Sequence, residues 1–383
     1  SFPTGGYTIA AASPTGLSQA YFEPHPKRNY VMQWNFTTQW RLPKNVSMKL
    51  GYVGSHGVHH IFRVRDANMV LPTLTSAGYL WPKDPGTRLN PSVGSINAAF
   101  WEGDSSYNAL VAQVQARFGR TGQIIGSYTW GKSIDTSSGS IAGDEYSNAI
   151  SSPLWFDTQL NRGQSDYDIT HSLKIIYSWQ IPSPKTLTGA EAWPLSGWQI
   201  GGVFEASTGV PFTAGFGGDS LGVSSTDTNL NVPNVTAGCS LVNRGNFANY
   251  INTNCFELPP PTPAIQANCD IVSTSTIDPV TNQPEMWCRN LRGNLGRNLL
   301  IGPGRLDMNF TVFKNNFIPS VSSAFNVQFR AEFFNIFNHP NINAPLNNRN
   351  VFDSKGNVIG SAGLTDSTQT SPRNVQFAIK VIW

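Results

Sequence analysis

Charged residues are scarce in this chain, and their scarcity excludes several classes of protein. Asp, Glu, Lys and Arg make up 13% of its 383 residues, about half of the share typical of soluble globular domains. The net charge of +3 is too small to indicate a nucleic-acid partner. The mean hydropathy, −0.23, is also low. This combination favours a membrane barrel, whose interior is lined by Asn, Gln, Ser and Thr and whose exterior contacts lipid.

Long apolar segments are absent as well. No run of about 18 or more apolar residues occurs, which excludes a transmembrane helix. The chain also begins without Met or a recognisable signal peptide, although a protein of the outer membrane needs such a peptide for export. We therefore expect either that a signal peptide was cleaved or that the chain is a fragment.

Cysteine is rare and confined to one polar, Pro-rich stretch, at Cys239, Cys255, Cys269 and Cys288. The spacing matches neither a zinc-binding CxxC pair nor a CxxCH haem site. An even number of cysteines in one loop indicates two disulfides formed in an oxidising compartment. Three pairings are possible, and we expect the sequential one, Cys239–Cys255 and Cys269–Cys288. Four reduced, buried thiols are the alternative.

Alternation of apolar and polar residues is abundant, and it predicts about nine strands and no helix. In the first strand, Tyr30, Met32, Trp34, Phe36, Trp40 and Leu42 share one face. The last strand ends the chain on an aromatic residue, with Val375, Phe377, Ile379, Val381 and Trp383 on one face. The other seven strands are predicted within residues 46–54, 110–118, 123–130, 169–181, 198–205, 306–312 and 325–337.

The two faces of these strands differ in a way that is typical of a transmembrane barrel. Each strand has about 9–11 residues, which is the length that a tilted strand needs to cross a bilayer. The apolar faces carry aromatic residues at their ends, whereas the core of a soluble sandwich is built mainly from Val, Ile and Leu. The opposite faces carry mostly amides and hydroxyls, as a barrel lumen does. The lumen-facing residues that we expect to contact substrate or plug are Gln33, Asn35, Gln113, Gln115, Arg117, Lys174, Arg330 and Glu332. For the charged residues among them, pairing with neighbouring strands is the alternative.

The connections between the predicted strands alternate between short and long. The short ones are residues 43–45, 119–122, 182–196 and 318–323, and the long ones are roughly 55–105, 133–167, 209–303 and 339–371. Outer-membrane barrels alternate in this way, with short turns in the periplasm and long loops outside. The pattern therefore predicts a periplasmic C-terminus and extracellular long loops.

The odd number of predicted strands leads to a further expectation. The first predicted strand runs toward the periplasm, whereas both termini of a bacterial barrel normally lie there. An open sheet in lipid would also leave backbone groups unsatisfied at its edges. We therefore expect residues 1–383 to be the C-terminal portion of one all-β, antiparallel outer-membrane barrel. The first strands would come from a longer precursor or from another chain, and residues 209–303 would form its long, disulfide-bearing extracellular loop.

Several motifs together resemble the barrel of TonB-dependent receptors, specifically the C-terminal half in the large Oar-like group. These motifs are LGYVGSHGVHH (50–60), SSYNALVAQVQARF (105–118), GSYTWGKSID (126–135), SDYDITHSLK (165–174), GWQIGGVFEASTGVPFT (197–213), GRNLLIGPGRLDMNFTVFKN (296–315), FRAEFFNIFNHPN (329–341) and PRNVQFAIKVIW (372–383). The resemblance implies a barrel of about 22 strands closed by a plug, of which this chain would supply about strands 14–22. It also implies coupling to the TonB complex. Neither a plug nor a TonB box is found in these residues.

Local motifs for chemistry are weak, and each has a structural alternative. Asp168 and His171, or the pair His59–His60, resemble parts of a metal site, but a structural role is the simpler interpretation. Asp135 with Asp144 and Glu145 lacks the spacing of a calcium loop. No GxSxG elbow or comparable arrangement supports catalysis. We therefore expect no enzyme activity, no bound metal and no cofactor. In the loops, Tyr146, Trp155 and Phe156 are candidates for stacking on a ligand, with loop packing as the alternative.

Two functions from different classes are compatible with these expectations. The first is import of a large or scarce solute through a plugged barrel in the bacterial outer membrane. The second is surface adhesion or another interaction or secretion-related role, in which the long loop would contact a partner such as a surface lipoprotein. The substrate cannot be inferred from barrel walls.

Overall fold

The computed structural model describes residues 18–83, 88–139, 154–183, 193–221, 231–277 and 281–383. Its main feature is an eleven-stranded sheet in which nine strands follow one another as an antiparallel meander. These nine strands are β1 (Tyr30–Leu42), β2 (Val46–Val64), β3 (Ile96–Phe118), β4 (Gly122–Asp135), β5 (His171–Gln180), β6 (Trp198–Ser207), β7 (Arg305–Phe317), β8 (Asn326–Phe334) and β9 (Asn374–Ile382). Each of the nine predicted strands corresponds to one of them, so the all-β prediction is confirmed.

Strands β2 and β3 are much longer than the predicted segments, with 19 and 23 residues. Their pairing continues from Val46↔Ala116 to Val64↔Ala98. Irregularities in the register surround His60, and the preceding His59 has a φ of 56°. The part of β2 that follows the predicted segment contains Gly, Ser and His residues. It therefore lacks the apolar alternation that marks a strand in the sequence. The hairpin therefore extends beyond its neighbours at one end of the sheet.

The connections divide between the two ends of the sheet as the sequence predicted. At one end, the turn end, the short connections 43–45, 119–121 and 318–325 join successive strands. In the first of them, Lys44 and Asn45 both have positive φ, as a tight hairpin turn requires. At the opposite end, the loop end, residues 65–95, 136–170, 208–304 and 335–373 connect the strands.

The two longest of these connections, residues 208–304 and 335–373, fold together through the residues that the structure describes, and we call them the loop assembly. The short strands Gly215–Phe216 and Asn350–Phe352 pair in parallel and join the two connections. Further pairs are Pro211–Phe212 with Leu300–Ile301, Asn234–Val235 with Phe256–Glu257, and Ile271–Ile277 with Pro284–Cys288. Its buried core includes Phe212, Phe216, Trp287 and Val351, and the Phe216 and Trp287 rings stack at 5.2 Å. The long loop is thus a packed structure.

The disulfide pairing is the sequential one that we expected. Cys239 pairs with Cys255 and Cys269 with Cys288, at Cα–Cα distances of 5.6 and 5.3 Å. Cys255 lies in the main core of the loop assembly. Cys269 and Cys288 lie in a second buried cluster with Leu80, which belongs to the connection 65–95.

The remaining elements are small. Gln19–Phe22 pairs with β3, Gly163–Gln164 pairs with β4, and Thr73–Thr75 pairs with Gly78–Leu80. In the part of the chain that the structure describes, 3₁₀ turns cover Thr158–Asn161, Thr253–Cys255 and Gln266–Asn268. In the described ranges, no helix is long and apolar enough to cross a membrane.

Candidate functional site at the polar face and loop end

The strand register brings all eight predicted lumen residues to one face of the sheet. Gln113 lies opposite Ser127, which lies opposite Lys174. Arg330 lies opposite Phe313, which lies opposite Gln199. Because alternate residues of a strand share a face, these pairings connect every strand from β1 to β9. The residues on this common face are Gln33, Asn35, Gln113, Gln115, Arg117, Lys174, Arg330 and Glu332.

Two continuous rows of paired residues run along this polar face, and together they span β1 to β9. The first row runs from β1 to β7 through the directly paired residues Gln39, Lys49, Gln113, Ser127, Lys174, Glu205 and Asp307. The second runs from β3 to β9 through Arg117, Gln123, Ser178, Gly201, Thr311, Glu332 and Gln376. Neither row contains an apolar side chain, whereas the row between them on the same face includes Ile125, Ile176 and Val203. Such a face requires water or polar partners, since an unpaired polar group in an apolar medium is costly.

Charged residues of the first row pair across neighbouring strands. The Lys174 Nζ lies 2.6 Å from an Oε of Glu205. An Nη of Arg305 lies 3.3 Å from the other Oε of Glu205 and 3.6 Å from Asp307. The sequence interpretation considered Lys174 but omitted Arg305, although its spacing of two residues from Asp307 places it on the same face. The result is a charged ladder on β5, β6 and β7.

Arg330, further toward the turn end, has different neighbours. Its Nε donates to the Gln328 side chain at 2.5 Å, and its guanidinium lies 5.1 Å above the Phe313 ring. A cation over an aromatic face is attracted by the negative side of the ring. Arg330 is therefore held flat against the sheet.

The opposite face of the sheet is apolar and exposed. Phe36, Phe377 and Ile379 are 70%, 66% and 72% exposed, and a continuous apolar surface of this kind marks a contact with lipid or another protein. Near the loop end, the His171 ring accepts from or donates to the Tyr128 hydroxyl at 2.7 Å and stacks on Trp130. His171 thus belongs to an aromatic edge of the apolar face.

A buried polar network joins the loop assembly to β4 and to the connection that follows it. The Arg297 side chain is 3% exposed, and its Nη atoms lie 2.6 Å from Asp135 and 2.8 Å from Asp166. Arg297 also donates to the Asn161 carbonyl and the Ser138 hydroxyl. Burial alone would lower the pKa of the Arg297 guanidinium, but Asp166 and Asp135 outweigh it and raise the pKa above its ordinary value.

The neighbouring Asn298 extends this network. Its Nδ2 donates to Asp166 Oδ1 and to the Gln164 carbonyl, both at 2.7 Å. Its Oδ1 accepts from the Thr213 hydroxyl at 3.1 Å. The motifs around Asp135, Asp166 and Arg297 are separated in the sequence by up to 162 residues, and the fold brings all three to one point.

The chain is similar to a known protein family. A family model described as an outer membrane beta barrel domain matches residues 1–376. The chain belongs to this family. No curated protein matches it.

Solved structures with a similar arrangement include two receptors. The barrel is similar to the ferric-catecholate import receptor Fiu of Escherichia coli K12, with 10% identity and a TM-score of 0.38, over 94% of this chain and 28% of the receptor. It is also similar to FpvA of Pseudomonas aeruginosa, solved with heterologous pyoverdines, with 9% identity and a TM-score of 0.38, over 93% and 27%. The chain thus spans less than a third of the length of these receptors.

The candidate metal residues of the barrel have other partners. Asp135 forms an ion pair with Arg297. Asp168 accepts from the Ser133 backbone N–H at 2.6 Å and faces Lys132. His59 lies 3.2 Å from the Arg28 carbonyl. Asp144 and Glu145 lie outside the described residues. In the part of the chain that the structure describes, no three His, Cys, Asp or Glu side chains are grouped so that they could hold a metal ion.

The candidate aromatic residues of the loops lie in packed clusters. Trp155 stacks on Phe100 with ring centroids 6.0 Å apart. Phe156 makes edge contacts with Tyr79 and Trp81. Tyr146 lies outside the described residues. Phe156 thus holds the connection 136–170 against the connection 65–95, and Trp155 holds it against β3. These contacts could not be inferred from the positions of the two residues in the sequence.

Proposed function

We propose that the chain is part of an outer-membrane receptor that imports a large or scarce solute through a β-barrel with energy from the TonB complex. The observation that carries this proposal is the polar face, whose two rows without apolar side chains together span β1 to β9. A wall of this kind suits a wide, hydrated lumen. The Oar-like motifs of the sequence support the same class of receptor.

In this proposal the apolar face contacts lipid and the polar face lines the lumen. The loop end lies outside the cell, and the turn end and the C-terminus lie in the periplasm. In the described structure β1 and β9 each have one neighbour along the meander, and open edges in lipid are costly. Strands of the N-terminal half of the barrel would pair with both edges, and a plug would contact lumen residues such as Arg117 and Glu332. TonB-dependent import requires no catalytic residue, metal or cofactor in this chain.

The test compares three strains of the natural host: wild type, a strain without the gene, and a strain whose full-length protein lacks its TonB-interacting motif. Mass spectrometry of the spent medium identifies solutes that the wild type depletes. We expect the same solutes to remain in the medium of both altered strains. Depletion by the motif-deleted strain at the wild-type rate would exclude TonB-driven import.

A second function, surface adhesion or another interaction or secretion-related role, is favoured by the loop assembly. Its own hydrophobic core and two disulfides give it the rigidity that a docking surface needs, for example toward a surface lipoprotein. In this case attachment or partner binding would persist in the motif-deleted strain. It would be lost when the loop assembly is detached from the barrel, for which Arg297→Met is suited because it removes the cation buried between Asp135 and Asp166.

A further inference from the structure

A cleft of about 360 Å³ opens where the loop assembly meets the ends of β6 and β7. Four separate segments form it, and they contribute Thr208, Arg244, Tyr250, Pro303 and His339 among others. Its size is within the range of small-molecule sites, which measure about 300–1,000 Å³. Two of the motifs noted in the sequence, around the Gly302–Pro303–Gly304 segment and around His339, meet at this cleft.

The charge of the cleft is of one sign. Arg244 is exposed and makes no hydrogen bond or ion pair with any described residue. Asp and Glu are absent from the described lining. His339 is also exposed, and its Nδ1 lies 3.2 Å from the Asn341 side chain, so Nε2 remains available to a ligand. An anion in the cleft would therefore meet two nitrogen groups and no competing carboxylate.

The walls of the cleft are apolar and held in place by the backbone. Phe247, Ile301 and Pro340 lie in the lining. The Tyr250 hydroxyl donates to the Ile301 carbonyl at 2.8 Å, which fixes the disulfide-bearing segment to the start of β7. A Cβ on Gly209 would lie 2.0 Å from the Gly302 carbonyl oxygen, so the two segments meet backbone to backbone. The cleft is thus formed before any ligand enters.

We propose that this cleft binds a small organic anion, a carboxylate or a phosphate ester carried on a flat or apolar group. Arg244 would hold the anionic group, because a guanidinium forms charge-assisted pairs with carboxylates and phosphates. The apolar walls would contact the rest of the ligand. The proposal rests on the proposed function only in placing the cleft outside the membrane, where a solute can reach it.

The test measures binding of three probes to the full-length protein purified in detergent. Para-trifluoromethylbenzoate is compared with its neutral amide by fluorine NMR, and phenyl phosphate competition distinguishes the two anion sources. We expect both anions to bind more tightly than the amide. Arg244→Gln should lower anion affinity by about ten-fold and leave amide affinity unchanged, whereas Arg244→Lys should retain part of it.

Arg120→Gln, at the exposed turn between β3 and β4, is the matched control and should bind like wild type. Disulfide mapping of each variant shows that the loop assembly has formed. Equal binding or no binding of the anions relative to the amide would overturn the proposal, and so would unchanged anion affinity in Arg244→Gln. Binding and TonB-dependent uptake are separate measurements, so the failure of one proposal is distinguishable from the failure of the other.

Discussion

Arg297 attaches the loop assembly to β4 and to the connection that follows it. Its guanidinium is buried between two carboxylates and also satisfies a carbonyl and a hydroxyl oxygen. Breaking a buried ion pair by removing one partner is far more destabilising than replacing the whole group, because a buried charge is left uncompensated. The motif around Arg297 was visible in the sequence. Its partners were not, since nothing in a local pattern indicates a contact across more than 130 residues.

Replacing Arg297 by Met should therefore detach the loop assembly locally. We expect a loss of about 3–5 kcal/mol, because Asp135 and Asp166 would remain buried without a cation. Hydrogen exchange followed by mass spectrometry should show faster exchange in residues 131–168 and 208–304, with the strands β7 to β9 unchanged.

Arg289→Met is the matched control for this substitution. Arg289 also pairs with a carboxylate, Asp270, but its side chain is 41% exposed. An exposed ion pair contributes about 0–1 kcal/mol, so exchange should change little. Equal effects of the two substitutions would contradict the role given to Arg297.

The strands could be predicted almost completely because their pattern is local. A period of two residues between apolar side chains is fixed by the backbone itself, so the sequence alone identified nine strands and both of their faces. The outer halves of β2 and β3 were missed, since residues such as Ser55 and Gly57 of β2 carry no apolar alternation there. Pairing of long backbone segments, rather than side-chain pattern, holds that extension together.

The assignment of the two faces gives a prediction at this scale. Single cysteines at Gln113 and Lys174 should react with a membrane-impermeant maleimide when the full-length protein is reconstituted in liposomes. Cysteines at their strand neighbours Ala112 and Leu173 should not react, because lipid covers the apolar face. The four cysteines of this chain are paired, and the full-length protein without an added cysteine gives the background labelling. Equal labelling of the two sets would show that the polar face does not line a water-filled lumen.

The hairpin formed by Ile271–Ile277 and Pro284–Cys288 gives a second prediction. The disulfide Cys269–Cys288 closes its base. Closing a loop of about this length is worth about 3 kcal/mol in the chain-entropy model. Replacing both cysteines by Ala should raise exchange in this hairpin and around Leu80, which shares its buried cluster. Exchange around Cys239 and Cys255 is the internal control, and it should remain as in wild type.

At the scale of the whole molecule, the loop assembly is the part that the sequence did not predict. Its composition is polar and rich in proline, which is typical of a loop. Its core nevertheless closes because Ala344, Val351 and Phe352 from the last long connection complete a cluster begun by Phe212 and Trp287. Such a core includes contacts between separate connections, which no local pattern in the sequence indicates. The barrel thus carries a rigid surface at its loop end.

The side of the outer membrane on which this surface lies distinguishes import from outside the cell from a function in the periplasm. An epitope inserted at Gly238, in an exposed turn of the loop assembly with open space around it, should bind antibody on intact cells. The same epitope at Gly119, in the turn between β3 and β4 with equal space, should bind only after the outer membrane is permeabilised. Both glycines have positive φ and lie outside the strands, so the insertions are matched in their effect on the fold. Antibody binding to the Gly119 epitope on intact cells would show that the barrel has the opposite orientation. The cleft beside Arg244 would then face the periplasm.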